Sequence, residues 1–186
     1  MILGARSTLT QVAVTVGDAL RRHRIRAVLT GGACASLHSG GACHTADVDF
    51  VLLEGVTRPR LDQAMAAVGF IRAGERYLNP RLHFYVEFPR GPLAIGGDHH
   101  IRPIEHRLDV ARTFALSATD ACRDRLAAFY HWDDRQALAA AVAIALRNRL
   151  RAALLERWSI EEGHGERYQE FRVEVAGARR RARPAR

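Results

Sequence analysis

Apolar residues at the start of the chain follow a helical spacing. Between residues 9 and 20 they recur every three or four positions, as one face of an amphipathic helix requires. Thr8 and Gln11 have the spacing of a capping box, in which a threonine and a glutamine close the first turn of a helix. The pattern predicts a first helix that runs to about His23.

Shorter apolar stretches predict strands in the next part of the chain. Residues 27–29 form a first strand that runs into Gly31-Gly32, and a short helix is expected after the glycines. A second strand starts at Asp47, where alternation of polar and apolar residues puts Asp47 and Asp49 on one face. Further on we expect a helix over residues 59–68, a hairpin over 70–78 and a third strand over 82–88.

From Ser117 onward the apolar period becomes helical, and Ser117 with Asp120 has a capping pattern. A long helix is expected over residues 138–154, and Trp158 with Phe171 is expected to anchor a last one. The fold class predicted is α+β: a small mixed sheet flanked by helices, followed by a C-terminal helical half. The expected divisions are an α/β core at 1–112, a helical region packed on it at 113–178 and a basic tail at 179–186.

Composition narrows the class of protein. Of 186 residues, 48% are apolar and 26% charged, which is ordinary for a globular chain and excludes a mostly disordered one. No apolar run approaches the roughly 18 residues of a membrane span, so we expect neither a membrane anchor nor a signal peptide. The three cysteines have no metal-ligand spacing, which indicates reduced thiols and a cytoplasmic location.

The net charge of +8 suggests a polyanionic partner, but its distribution weakens that argument. All 28 basic residues are arginine, and five of them lie in the last eight positions. Such a tail either contacts RNA or DNA phosphates or is a dispensable disordered segment. The sequence leaves both interpretations open.

Three pieces of the sequence belong to one chemistry. Gly31-Gly32 follows a strand, Asp47 and Asp49 lie two apart on the next strand, and Glu87 lies in a later one. Phosphoryl transfer needs carboxylates on a rigid edge to hold divalent metal ions. Glycines let backbone N–H groups approach phosphates, and the following helix offers its positive end. Ser36 on that helix is a candidate hydroxyl donor.

Residues 29–33 (Leu-Thr-Gly-Gly-Ala) and 45–50 (Thr-Ala-Asp-Val-Asp-Phe) resemble the signature of nucleotidyltransferases of the DNA polymerase β superfamily. Within that superfamily they are most similar to the abortive-infection (AbiEii) type toxins. The resemblance implies transfer of a nucleoside monophosphate from a nucleoside triphosphate to a hydroxyl, with Mg²⁺ or Mn²⁺ as cofactor. It implies Asp47, Asp49 and Glu87 as metal ligands and catalytic residues. The implied nucleotide-binding residues are Gly31, Gly32, Ser36 and Arg125.

Several alternatives stay open at this point. The acceptor is an RNA 3′ end, particularly of tRNA, a protein hydroxyl, or a small molecule such as an aminoglycoside. A toxin would also have a cognate antitoxin as its partner. The competing classes are a nucleotide- or RNA-binding protein of the same fold without turnover, and a plain nucleic-acid-binding domain.

Individual residues also have simpler interpretations. Glu87 is alternatively a solvent-facing charge, with Asp98 as its substitute. Arg125 is alternatively the ion-pair partner of Asp120 or Asp124 on a helix face. The histidines at 99, 100 and 106 indicate a surface loop more than a zinc site, and Cys34 is expected in the core with no thiol chemistry.

Overall fold

The structure is a computed structural model that describes residues 3–182. Within these residues the chain forms seven strands and seven helices in an α+β arrangement, which confirms the predicted class. The strands are β1 (Ala27–Thr30), β2 (Asp47–Leu52), β3 (Ile71–Ala73), β4 (Arg76–Leu78), β5 (Tyr85–Glu87), β6 (Ile104–Leu108) and β7 (Ala111–Ala115). The helices are α1 (Leu9–Arg22), α2 (Gly31–Ser39), α3 (Arg58–Ala66), α4 (Ala118–Trp132), α5 (Arg135–Arg147), α6 (Ala152–Glu161) and α7 (Gly165–Arg181).

All seven strands join one mixed sheet in the order β3-β4-β5-β2-β1-β7-β6. At its centre β2 pairs antiparallel with β1, so that Asp49 lies opposite Thr30. On its other side β2 pairs parallel with β5, and Asp49 lies beside Glu87. The sheet register therefore brings together strand residues that are far apart in the sequence.

The sequence prediction of α1 is confirmed in detail. The Thr8 side chain accepts a hydrogen bond from the N–H of Gln11, and the Gln11 side chain accepts one from the N–H of Thr8. His23 ends the helix. The predicted hairpin over 70–78 is also present as β3 and β4, whereas the third strand is shorter than expected because only residues 85–87 pair.

The hairpin formed by β6 and β7 was not predicted. β7 inserts beside β1 in parallel, with Leu29 opposite Ala115, and β6 then forms the sheet edge. Its strands carry many charged side chains, such as Arg107 and Arg112, because one face of the hairpin is exposed. The buried side chains of β7 are small, so the hairpin lacks the run of large apolar residues by which a strand is recognised in a sequence.

The prediction of one long helix over residues 138–154 was wrong. α5 ends at Asn148, whose backbone is extended. The Asn148 side chain donates to the carbonyls of Ile144 (2.8 Å) and His38 (2.7 Å), and thereby ties the end of α5 to the last turn of α2. Trp158 and Phe171 accordingly lie on two different helices, α6 and α7, not on one last helix.

A single apolar core runs through both halves of the chain, from α1 and the sheet to α7. Cys34 and Cys122 are buried in it. β7 crosses the division expected at residue 112, and α7 continues to Arg181, into the segment expected as a tail. Arg183 and Arg186 lie outside the described residues. No helix within residues 3–182 is both long and apolar enough to cross a membrane.

Candidate functional site

The turn from β1 into α2 is tight because the helix begins at Gly31 itself. Gly31 has a φ of +66°, a conformation that glycine adopts far more readily than other residues. A Cβ built on Gly31 would lie 2.4 Å from Oδ2 of Asp49. The side chain of Thr30, which precedes the helix, makes no capping hydrogen bond. The start of α2 therefore faces the Asp49 carboxylate directly.

Asp47 and Asp49 project from the same face of β2, while Val48 and Phe50 between and beyond them are buried. This arrangement is the one predicted from the alternation of residues. The hydroxyl of Thr45 donates a hydrogen bond to Oδ1 of Asp47, which fixes the orientation of that carboxylate. The strand repeat puts the Cα atoms of these two aspartates about 6 to 7 Å apart.

Glu87 adds a third carboxylate on the neighbouring strand, beside Asp49. Its Oε1 accepts a hydrogen bond of 2.6 Å from Nε of Arg76 on β4. The Arg76 guanidinium also lies over the ring of Tyr85, 4.4 Å from its centroid. Glu87 therefore occupies the predicted position but is engaged in an ion pair that the sequence did not predict.

The pKa of Asp49 is raised to about 7. Burial is the largest cause, followed by repulsion from the carboxylates of Asp47 and Glu87, while Arg125 acts in the opposite direction. A carboxyl group in this environment holds its proton near neutral pH unless a cation compensates its charge.

A cavity of about 510 Å³ opens in front of the two aspartates. Its walls come from the start of α2, the 42–45 loop, β2, α4 and α5, with Arg125 as the arginine that lines it. Arg125 donates two hydrogen bonds to Oδ2 of Asp124, at 2.8 and 3.0 Å. Arg125 therefore pairs with Asp124 and lines the cavity as well, and its role toward phosphate stays a prediction.

Gly32 lines the cavity with the aspartates, whereas Ser36 does not. Ser36 is 2% exposed and contributes to an adjoining cavity of about 270 Å³ behind the 43–45 loop. Asp98, considered as a substitute for Glu87, is bound instead by Arg123 at 2.7 Å and does not line the cavity. The site thus gathers Gly31, Gly32, Asp47, Asp49 and Arg125, with Glu87 at its edge.

Sequence reasoning missed three polar residues of this cavity. Thr45 orients Asp47, and Asp134 and Gln136 line the wall formed by the first turn of α5. Asp134 caps α5 by accepting hydrogen bonds from the N–H groups of Gln136 and Ala137. An aspartate directly before a helical run is a recognisable capping signal, but the position of α5 beside the cavity is a matter of tertiary packing.

The donor set fits a divalent cation in part. Mg²⁺ prefers carboxylate oxygens, and such an ion would offset both the burial and the carboxylate repulsion that raise the pKa of Asp49. At position 31, the Cβ of any residue other than glycine would fill the space beside the Asp49 carboxylate. Asp47 and Asp49 therefore fit the ion, whereas Glu87 is held by Arg76. Across residues 3–182, no group of three or more His, Cys, Asp or Glu side chains is ready to hold a metal ion.

Comparisons with known proteins give only a remote likeness. No protein-family model and no curated protein matches the chain. Among solved structures, the solution structure of the antibiotic-resistance factor ANT(2'')-Ia aligns with 87% of this chain and 100% of its own, at 16% identity and a TM-score of 0.43. A likeness at this level shows neither a shared activity nor a shared substrate, so the function has to be argued from the site itself.

Proposed function

We propose that the protein is a nucleotidyltransferase, which transfers a nucleoside monophosphate from a nucleoside triphosphate to an acceptor hydroxyl. The observation that carries this proposal is the contact between the start of α2 and the Asp49 carboxylate. It joins a helix N-terminus, which favours phosphate, to an aspartate pair, which favours a divalent cation. A magnesium triphosphate presents both of these groups together.

The polarity of the cavity favours one orientation of the nucleotide. We call the part lined by Gly32, Asp47, Asp49 and Arg125 its charged end, and the part formed by α5 is lined by Asp134, Gln136 and alanines. The triphosphate belongs at the charged end, since arginine binds phosphate oxygens through its forked N–H groups. The nucleoside then lies along α5, where the alanines, the Gln136 amide and the Asp134 carboxylate that caps the helix offer a surface for a base.

In the proposed reaction, the acceptor oxygen forms a bond to the α-phosphorus while the bond from that phosphorus to the pyrophosphate oxygen breaks. Asp47 and Asp49 would hold Mg²⁺ or Mn²⁺, which supplies charge neutralisation to the phosphates. Thr45 keeps Asp47 oriented, and Arg125 binds a phosphate of the leaving group. Glu87 is the base for the hydroxyl proton when its pairing with Arg76 opens.

The test is label transfer from nucleoside triphosphates radiolabelled at the α-phosphate. The full chain is incubated with Mg²⁺ and each nucleotide in turn, with total RNA, a protein mixture or an aminoglycoside as acceptor. Asp49→Asn should lower transfer at least roughly 100-fold. Asp109→Asn is the matched control, because Asp109 is exposed on the β6–β7 turn and asparagine tolerates its positive φ.

Label in one acceptor with the wild-type protein alone would support the transferase and identify the acceptor class. Equal transfer by wild type and Asp49→Asn would contradict the assignment of the site. An RNA acceptor, a toxin role and an antitoxin partner are implied by the sequence resemblance, and these stay predictions.

A second candidate is a nucleotide-binding protein of the same fold without turnover. The observation that favours it is the Arg76–Glu87 ion pair at 2.6 Å, which occupies the carboxylate expected to activate the acceptor. This candidate requires Mg²⁺-dependent nucleotide binding, seen as a rise in melting temperature, with no label transferred to any acceptor.

A further inference from the structure

Within the helical half, the arginines without a carboxylate partner all lie at one end. They lie in two segments, the junction between α5 and α6 and the last turn of α7, and all are exposed. Elsewhere arginines commonly pair with Asp or Glu, as Arg135 does with Glu170. Within residues 3–182, no ion pair with a carboxylate is formed by Arg147, Arg149, Arg151, Arg179, Arg180 or Arg181.

A groove of about 460 Å³ connects the two segments. Its basic residues are Arg149, Arg172 and Arg179, and no Asp or Glu lines it. Arg179 is held in position because its Nη2 donates to the carbonyl of Ala145 at 3.3 Å. The floor is apolar and consists of Leu150, Leu155, Tyr168, Phe171 and Val175. We call this feature the arginine groove.

Two further observations define its surroundings. Arg147 lies at the same end of α5, over the end of α2, where a Cβ on Gly40 would be 2.7 Å from its guanidinium carbon. Among the arginines of the groove, the charge of Arg172 is partly neutralised, because its Nη1 lies 3.6 Å from Oε1 of Glu156. The positive charge of the groove is therefore mostly uncompensated by the protein itself.

We propose that the arginine groove binds the sugar–phosphate backbone of a nucleic acid. Several exposed arginines in one groove match a ligand that carries a negative charge on every repeating unit. A nucleic-acid strand carries one phosphate charge about every 3.4 Å. The guanidinium fork matches phosphate oxygens. An apolar floor between the arginines also accommodates the sugar and base edges.

The form of the surface disfavours a membrane. Membrane-surface helices place large apolar side chains beside their basic residues, and Leu146 beside Arg147 and Val173 beside Arg172 are exposed here as well. The argument against a membrane therefore rests on the shape of the surface and not on its composition. The basic residues also surround a concave site. A nucleic-acid strand fits this concavity better than a bilayer surface does.

The groove is separate from the catalytic cavity. α5 lines the cavity as far as Ala140 and the groove from Ala145, so the nearest lining positions are about 7 to 8 Å apart along the helix, and the two sites share no lining residue. Binding in the groove consequently requires neither nucleotide nor metal. The inference goes beyond the proposed function and does not depend on it.

The experiment is fluorescence anisotropy with a labelled single strand of roughly 20 nucleotides, as RNA and as DNA of the same sequence, in EDTA without nucleotide. The full-length protein is titrated between about 50 and 200 mM salt. The groove variant is the double substitution Arg149→Gln with Arg179→Gln. The matched control is Arg90→Gln with Arg102→Gln, which removes the same charge from two exposed positions elsewhere.

We expect the wild-type affinity to fall steeply with salt, and the groove variant to lose several-fold in affinity. Its slope of log K against log salt should be shallower by about 1.4, or roughly 0.7 for each lost phosphate contact. The control should behave as the wild type, and Asp49→Asn should bind normally, which separates this inference from the proposed catalysis. Comparison of RNA with DNA reports whether the 2′-hydroxyl contributes.

Two results would overturn the proposal. One is an equal loss of affinity in the control variant, since the effect would then be one of net charge alone. The other is binding of anionic phospholipid vesicles or polyglutamate through the groove while neither nucleic acid binds. Circular dichroism and the melting temperature of each variant establish that it is folded.

Discussion

Gly31 lies against the Asp49 carboxylate so closely that a Cβ at position 31 would be 2.4 Å from Asp49 Oδ2. Gly31→Ala should therefore displace Asp49, and its positive φ adds a cost of about 1 to 2 kcal/mol to folding. We expect a lower melting temperature and a loss of transferase activity of at least roughly tenfold. Gly55→Ala is the control, because nothing lies within 4 Å of a Cβ there.

The raised pKa of Asp49 predicts a pH dependence of stability in the metal-free protein. The pKa is about 7 in the folded state and near 3.9 in an unfolded chain. Since the folded state binds the proton more tightly, this group lowers the stability as the pH rises from about 4 to above 7. Asp49→Asn should remove that penalty and stabilise the protein by ~1–2 kcal/mol at pH 8.5, after allowance for partial exposure.

Denaturant unfolding in EDTA at pH 5 and pH 8.5 measures this effect. Stability curves of wild type and Asp49→Asn that stay parallel over this range would contradict the assigned environment of Asp49. Addition of Mg²⁺ at pH 8.5 should raise the stability of the wild-type protein and have little effect on Asp49→Asn.

Substitutions of Arg76 and Glu87 distinguish the two interpretations of Glu87. If Glu87 takes the acceptor proton, Glu87→Gln should lower kcat roughly 100-fold, whereas Arg76→Gln should leave kcat unchanged or higher because it frees the carboxylate. If the pair is only a surface ion pair, both substitutions should have the same small effect. Steady-state label transfer measures kcat and KM for both variants.

Arg125 should act through the nucleotide. Arg125→Gln is expected to raise the KM for the nucleoside triphosphate about tenfold, since a charged hydrogen bond contributes roughly 1.5 kcal/mol. Arg125→Lys should recover part of this affinity because it keeps the charge. Arg135→Gln, at an exposed position on α5, is the control. An unchanged KM in Arg125→Gln would place Arg125 in a purely structural pair with Asp124.

Local signals in the sequence were sufficient for several parts of the fold. The capping box depends on Thr8 and Gln11, which are only three positions apart. The shared face of Asp47 and Asp49 follows from the two-residue period of a strand. Both depend on interactions within a few positions of the chain. The first helix and the aspartate pair were therefore predictable.

Other parts depend on contacts between distant residues. The pairing of Arg76 with Glu87 follows from the register between β4 and β5, which the sequence does not specify. The end of α5 depends on the contact of Asn148 with His38, 110 positions earlier. The position of Asp134 beside the cavity likewise follows from the packing of α5. For these features, tertiary structure decides between local alternatives that the sequence leaves open.

β7 also has a consequence for handling the protein in fragments. It lies between β1 and β6 and is supplied by residues 111–115. A chain cut at residue 112 would leave the backbone of β1 unpaired along one side, and unpaired strand edges promote association between molecules. The sheet that carries Asp47 and Asp49 is thus completed by residues beyond the expected boundary, and truncation there should yield aggregates instead of a smaller folded protein.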